Sequence, residues 1–507
     1  MKTLLAVAVA LLVWLPGPEA ASAATFRIAI GIDPDTLDPV QTTTTTAGNV
    51  VDYVAETLTT IDEKGKVLPL LAESWTVSSD GKEYTFRLRR GVTFHDGTPF
   101  DAKAVKWNLD RVIDPNVKVP IRNPYAAIEK TEAVDPQTVK VTLKHPYAPF
   151  LAGLSWTTSA MVSPAGAEKS GNEYKNYPNI VGTGPYTLAE RKKGESITLQ
   201  RHAGYWGRKP FYDTVVVRIV PEAATRESLL LAGQVELIIL PPVADLPALQ
   251  KNSAVKVVMA PSDRTIFIAI NTTKIKDKRV RQAINHAVDK AAIVKNVLFD
   301  SGEPMDAPMA PSLFGHCKVG SYDFDPQKAK ALLKEAGVPA GTPVQLIHPT
   351  GRYVQDREAA QAIAGYLREV GLEIQMQTMD WPSYIGTITK PADQNTTILH
   401  LLGWAPAFLD ADQQMDQFRS GSHPPKGLAT TFYSNPEVDR LIQAAQRELD
   451  ADKRKELYCQ LSKLIWDDAP WVFLWVQRFP IVHSAKVANV SYLPNEKFMA
   501  LHARPAQ

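Results

Sequence analysis

The spacing of apolar residues divides the chain into two halves of different character. Phe26, Ile28 and Ile30 alternate with polar neighbours, as do Tyr84, Phe86 and Leu88, and again Val139, Val141 and Leu143. This period of two predicts half-buried strands. Between the last two, Ala104, Val105, Leu109 and Val112 fall at helical spacing behind Asp101, which predicts an N-capped helix over 101–112. Val215–Val220 reads as a strand, and Pro221 opens a helix that runs through Leu231 and stops at Gly233. Continuous apolar runs at Val235–Leu240 and Ile266–Asn271 read as buried strands.

From Lys278 the period changes. Val280, Ala283, Ile284, Ala287 and Val288 share a helical face, Asp325-Pro326 starts a helix that stops at Gly337, and Asp356–Val370 is a third. The last is followed at once by the strand Leu372–Met376. Pro436–Leu449 and Lys453–Trp466 read as helices, Trp471–Val476 and Ile481–His483 as strands. Helix and strand in turn, with short links, predict an α/β lobe distinct from the strand-rich first half. Asp33-Pro34-Asp35 is a turn, and the threonine run Thr42–Thr46 is a poor helix start until Ala47-Gly48-Asn49.

The N-terminus sets the compartment. Lys2 precedes an apolar run from Leu4 to Leu15, then Pro16-Gly17-Pro18 and the small residues Ala21-Ser22-Ala23. That is a secretory signal over 1–23 with cleavage near Ala23. A run of about twelve apolar residues is too short to span a bilayer that needs about 20. The mature protein is expected to be periplasmic and soluble. With 56 Lys and Arg against 54 Asp and Glu, the formal charge of +2 over 507 residues excludes the basic excess of a nucleic-acid binder. The two cysteines, Cys317 in a loop and Cys459 in a helical pattern, are compatible either with a disulfide or with two separate thiols.

Signatures of catalysis are missing: there is no GxSxG, HExxH, GxxxxGK[ST] or strand–GxGxxG–helix pattern. His95, in Phe94-His95-Asp96-Gly97, reads as a packed histidine at a turn. Binding chemistry is better represented. Trp404 precedes the stiff loop Ala405-Pro406-Ala407 and the acidic Asp410-Ala411-Asp412, and Trp381 stands between Asp380 and Pro382. A loop Trp either floors a pocket with its flat face or caps a helix–sheet junction. Arg352 follows a strand-like run and precedes a helix, where its guanidinium either grips a ligand carboxylate or pairs with Asp356 or Glu358.

Ala72-Glu73-Ser74-Trp75 with Asp80-Gly81, Tyr84-Thr85-Phe86 and Phe94–Phe100, then Gly182-Thr183-Gly184-Pro185-Tyr186 and Gly204-Tyr205-Trp206-Gly207, stand out as blocks. In combination they resemble the solute-binding proteins of peptide-type ABC transporters, the family of dipeptide-, oligopeptide- and nickel-binding proteins. Arg279-Val280-Arg281-Gln282-Ala283, Ala287–Lys290, Asp325–Gly337 and Asp468-Ala469-Pro470-Trp471 extend the resemblance over nearly all of the mature chain. It implies an α/β periplasmic-binding-protein fold with two lobes joined by two hinge strands. Lobe I is then 24–265 with 484–507, carrying an extra subdomain at about 50–185, and lobe II is 266–483. Ile266–Asn271 and Phe479–His483 are the expected crossovers.

The same resemblance implies a function: capture of a peptide or amino-acid-derived solute between closing lobes, and delivery by a monomer to an ABC permease in the inner membrane. No cofactor, metal or enzymatic step is called for. In the dipeptide binders an Asp three positions after the loop Trp holds the ligand ammonium; here that position is Ala407, and Asp410 is the nearest substitute. Losing that carboxylate keeps sugars, opines and a nickel chelate open as ligands of the same scaffold. An exported hydrolase would need a nucleophile–base pair for which no setting is recognisable. The expected ligand-binding residues are Trp404, Arg352, Asp410, Trp381 and the hydroxyls of Thr43, Thr44 and Thr45.

Overall fold

The computed structural model describes residues 24–506 apart from 35, 43, 121 and 170–179. The signal segment 1–23, Asp35 and Thr43 therefore lie outside the described residues. Two large mixed sheets carry the fold. The first has seven strands in the order Val255–Ala260, Phe479–Ser484, Leu237–Ile239, Thr25–Ile30, Thr214–Ile219, Ser196–Arg201 and Tyr186–Lys192. The second has six: Gly302–Pro304, Trp471–Gln477, Thr265–Ile270, Leu399–Trp404, Thr342–Pro349 and Leu372–Met379. In the second sheet Thr265–Ile270 is paired on both edges and buried along its whole length, which is why its sequence is almost continuously apolar. Phe267 stacks on Trp471 of the neighbouring strand, with ring centroids 3.5 Å apart.

A smaller antiparallel sheet, Ala72–Val77, Glu83–Leu88, Thr138–Leu143 and Ile128–Asp135, is backed by the helix Ala102–Ile113. Asp101 caps that helix through the backbone N–H groups of Lys103 and Ala104, as the pattern predicts. The threonine run behaves otherwise. A helix begins inside it, at Thr45–Val51, because the Thr44 hydroxyl accepts from the Ala47 N–H and so caps a segment whose β-branched residues alone disfavour it.

The chain passes between the large sheets twice, at 261–264 and at Arg478. This corrects the expected crossovers. Ile266–Ile270 belongs wholly to the second sheet, whereas Phe479–Ser484 pairs with Leu237–Ile239 and Val255–Ala260 in the first. The reason is length: Trp471–Gln477 and Phe479–Ser484 are two strands separated by one residue, each short enough to serve a different sheet.

Two of the sequence blocks meet at one buried carboxylate. Thr183, Tyr205 and Trp206 donate to Glu56 at 2.9, 2.8 and 2.8 Å. Gly184 lets the backbones pass, since a Cβ there would stand 2.7 Å from the Tyr53 carbonyl oxygen. Burial pushes the Glu56 carboxyl up to about 7, against those hydrogen bonds and the charge of Arg89. The unfolded chain releases this proton near 4.5, so the group's contribution to stability is fully present below that pH and is lost as pH rises to about 7. The stability of wild type minus that of Glu56→Gln is therefore expected to fall between about pH 4.5 and 7, by up to about 3 kcal/mol, and to level off above. Melting curves of both proteins across that range check it; a difference that rises with pH contradicts it.

Candidate functional site

The two large sheets are joined by more than their crossings. The C-terminal hairpin Ser491–Leu493/Lys497–Met499 puts its tip, 494–496, against the crossing segment and against the loop after Trp404. Asp263 donates its backbone N–H to the Pro494 carbonyl at 2.8 Å. Asn495 Nδ2 reaches the Ala407 carbonyl at 3.3 Å. Glu496 accepts from Arg264 through Nε at 2.8 Å and Nη2 at 2.6 Å, and from the Ser262 hydroxyl at 3.2 Å. Lys497 pairs with Asp52 at 2.6 Å and sits 4.8 Å over the Trp156 ring. Across the same seam Trp156 packs on Ala407 and Phe408, and the Tyr147 hydroxyl donates to Asp412 Oδ2 at 2.5 Å.

Arg352 is placed by its own loop. The Asp356 carboxylate accepts the backbone N–H groups of Gly351, Arg352 and Tyr353 at 3.1, 2.8 and 3.1 Å. It therefore spends its charge on the loop and the helix start. The alternative in which Asp356 or Glu358 pairs with the guanidinium is not the one adopted. The Arg352 guanidinium carbon lies 5.0 Å from the ring centroids of both Tyr353 and Trp381, and among the described residues its nitrogens make no hydrogen bond or ion pair. Burial lowers its pKa, and the nearby positive charge of Arg264 adds to that, while Glu496 opposes it. An unpaired guanidinium in the corner of two perpendicular rings, whose centroids are 6.2 Å apart, is a receptor for a planar anion such as a carboxylate.

Trp381 is thus brought against Arg352. Trp404 lies beside them: the Tyr353 hydroxyl donates to the Gly403 carbonyl at 3.2 Å, and the Trp404 indole N–H is used by the Gln413 carbonyl at 3.2 Å. Thr44 and Thr45 are half-buried at the start of a helix that meets the hairpin through Asn49, whose Nδ2 bonds the Glu496 carbonyl at 3.0 Å. No hydrogen bond joins either threonine to Arg352, Trp381 or Trp404 among the described residues.

Asp410 stands apart. Its carboxylate takes two hydrogen bonds from Arg454, at 2.7 and 2.6 Å, and both side chains are only 6% exposed. It also caps the helix Ala411–Met415. Ala407 is covered by Trp156 and tied through both backbone groups, to Gln413 and Asn495, so no charged side chain takes the place of the family's Asp there.

The sequence gives no warning of Asp263, Glu496 or Lys497. Asp263 is fully buried and neither carboxylate oxygen has a hydrogen-bond partner. Burial, and then the negative charge of Glu496, raise its pKa well above the usual carboxylate range. Glu496 behaves oppositely: burial would raise it, but Arg264 holds it below the ordinary value. His95 is a packed histidine, with Nε2 on the Gly184 carbonyl at 2.9 Å and burial lowering its pKa to about 4. Cys317 and Cys459 are joined in a disulfide. Among the described residues no group of three or more His, Cys, Asp or Glu is placed to hold a metal ion, and no helix is long and apolar enough to cross a membrane.

Comparison with known proteins agrees with this architecture. The family model of bacterial extracellular solute-binding proteins, family 5 (middle), matches residues 66–426. The glutathione-binding protein GsiB of Escherichia coli K12 is 33% identical over 476 residues, covering 93% of this chain and 92% of that protein. Among solved structures, the periplasmic binding protein DppA of Helicobacter pylori, in complex with the peptide STSA, superposes with a TM-score of 0.81 at 26% identity, covering 94% of this chain and 97% of that one. The binding protein AgaA of A. tumefaciens R10, in complex with agropinic acid, gives 0.80 at 26% identity, covering 94% and 98%. The first relative and the long model match leave one assignment: the chain belongs to the family 5 bacterial extracellular solute-binding proteins.

Proposed function

We propose that this protein is the exported capture component of an ABC importer, and that it holds a small peptide or amino-acid-derived solute at the seam between its two sheets. The observation that carries the reading is Arg352, a half-buried guanidinium with no partner of its own and an aromatic ring on each of two sides. A ligand carboxylate there supplies the missing charge. Contacts from the second sheet's Arg352, Trp381 and Trp404 and from the C-terminal hairpin tip favour the closed form over the open one, by as much as the ligand binds the two forms differently. Closure then gives a membrane permease a shape to recognise. No covalent step enters, so the solute is released as it was bound. The hydroxyls of Thr44 and Thr45 are further candidate contacts.

Titration of the purified mature protein with Ser-Thr-Ser-Ala and with glutathione, followed by tryptophan fluorescence, tests the reading. Saturable binding of one ligand per chain, with the ligand recovered intact, is the expected result. Agropinic acid belongs in the same panel, because Ala407 lacks the carboxylate that the dipeptide binders place there. Binding of agropinic acid alone moves the protein to a non-peptide ligand, and turnover of any probe contradicts a pure binding role.

Arg352→Gln is expected to weaken Ser-Thr-Ser-Ala by about 2–3 kcal/mol, roughly 30- to 150-fold, since a buried ligand carboxylate is left unpaired. The C-terminal amide of the same peptide should bind wild type and variant within about threefold of each other. A variant that still prefers the free carboxylate by the wild-type factor removes Arg352 from the site.

A further inference from the structure

The seam holds two side chains without partners, the Asp263 carboxyl and the Arg352 guanidinium, around one satisfied pair. Arg264 and Glu496 satisfy each other through two hydrogen bonds. Ser262 and Arg264, on either side of Asp263 in the chain, both bond to Glu496; Asp263 does not, and its two oxygens are buried with no partner. Arg352 belongs to the same neighbourhood: Tyr353 donates to the Gly403 carbonyl at 3.2 Å, Trp404 pairs with Thr265 next to Arg264, and the Arg352 guanidinium makes no hydrogen bond or ion pair among the described residues. Burial disfavours the ionised form of the Asp263 carboxyl as long as nothing pairs with it, and a cation placed beside its two oxygens would restore that form. Asp263 also sits in the 261–264 crossing between the sheets, where a ligand contact acts on the hinge itself.

Resting on the peptide reading above, we propose that Asp263 is the ammonium-binding residue of this protein, taking over from the position occupied by Ala407, and that its ligands are zwitterions held between Asp263 and Arg352. The primary amine of a peptide donates to the Asp263 oxygens while the carboxylate meets Arg352. A neutral zwitterion leaves the cluster of Asp263, Arg264, Arg352 and Glu496 with no net charge, which is the arrangement that burial favours. The site thus selects for a free amine without using the loop after Trp404.

The test compares wild type with Asp263→Asn against five probes: Ser-Thr-Ser-Ala, glutathione, the N-acetylated form of each, and the C-terminal amide of Ser-Thr-Ser-Ala. Wild type should bind the free amines at least about 30-fold more tightly than the acetylated forms. Asp263→Asn should bring that ratio to within about threefold while keeping its preference for Ser-Thr-Ser-Ala over the C-terminal amide, which reports on Arg352. Without ligand, the melting temperature of Asp263→Asn should equal or exceed that of wild type, because asparagine is a neutral side chain of nearly the same shape in place of a carboxyl that has no partner. Wild type indifferent to acetylation, a variant that keeps the wild-type ratio, or a ligand-free variant that melts several degrees lower would each overturn the assignment of Asp263 alone. Wild type that binds neither peptide overturns the peptide reading and this assignment with it.

Discussion

Replacing both Cys317 and Cys459 by serine is expected to lower the stability of the protein by about 5 kcal/mol, the largest effect of any change considered. The disulfide closes a segment with a sequence separation of 142, and the chain-entropy cost that such a link removes from the unfolded state grows with the logarithm of its length. Both ends lie among elements of the second sheet. Cys459 is in the helix Ala451–Asp468, which packs its Tyr458, Leu461 and Ile465 into that sheet's core. Cys317 is in the loop that leads to the helix Pro326–Glu335. The bond therefore fastens a loop to a helix within one lobe, away from the seam. Urea unfolding of wild type and the double variant, each with and without reductant, checks this. Reductant should shift the wild-type midpoint down to that of the variant and leave the variant where it is. Affinity for Ser-Thr-Ser-Ala should stay within about threefold, because neither cysteine contacts the residues at the seam. A variant as stable as wild type would mean that the unfolded chain is already compact enough to make the link redundant.

What could be read in the sequence was local. The helix Ala102–Ile113 is announced by Asp101 and a 3.6-residue period, and the strands Glu83–Leu88 and Thr138–Leu143 by alternation, because each signal and its cause lie within a dozen residues. Sheet membership is a long-range property. Nothing in the apolar runs Trp471–Gln477 and Phe479–Ser484 says that they serve different sheets, so the crossing at Arg478 was misplaced by a few residues. The threonine run was misjudged for a different reason, since propensity argues against a helix there and a single cap at Thr44 outweighs it. At the candidate site Arg352 and the two tryptophans stood out beside stiff turns, although Trp381 opens the helix Trp381–Ile388 and Trp404 ends the strand Leu399–Trp404. The freedom of the Arg352 guanidinium did not, for it depends on Asp356 bonding three backbone N–H groups instead. Asp263 and the Arg264–Glu496 pair were invisible: the pair's partners are 232 residues apart, and the isolation of Asp263 is defined only by what surrounds it.

Asp410 shows how a carboxylate in the right neighbourhood can belong to a different task. A ligand-binding role predicts that Asp410→Ala abolishes binding and leaves stability nearly unchanged. The geometry predicts the reverse. Arg454 is buried against Asp410, also donates to the Tyr458 hydroxyl at 2.8 Å, and sits 4.9 Å from the ring centroid of Phe314. Removing the carboxylate strands the guanidinium in a site with no other anion bonded to it, which typically destabilises by 3–5 kcal/mol, on the order of the disulfide itself. Asp410→Ala is therefore expected to lower the urea midpoint sharply, while the molecules that remain folded bind Ser-Thr-Ser-Ala within about threefold of wild type. The pair can be separated from its parts. Arg454→Met alone leaves the carboxylate stranded and should be as damaging, whereas the double variant Asp410→Ala/Arg454→Met buries no unpaired charge and should recover most of the loss. A thermodynamic cycle over the four proteins should thus show a coupling of several kcal/mol in stability and almost none in affinity. If the coupling appears in affinity instead, Asp410 returns to the binding site and the ammonium is held by the loop after Trp404.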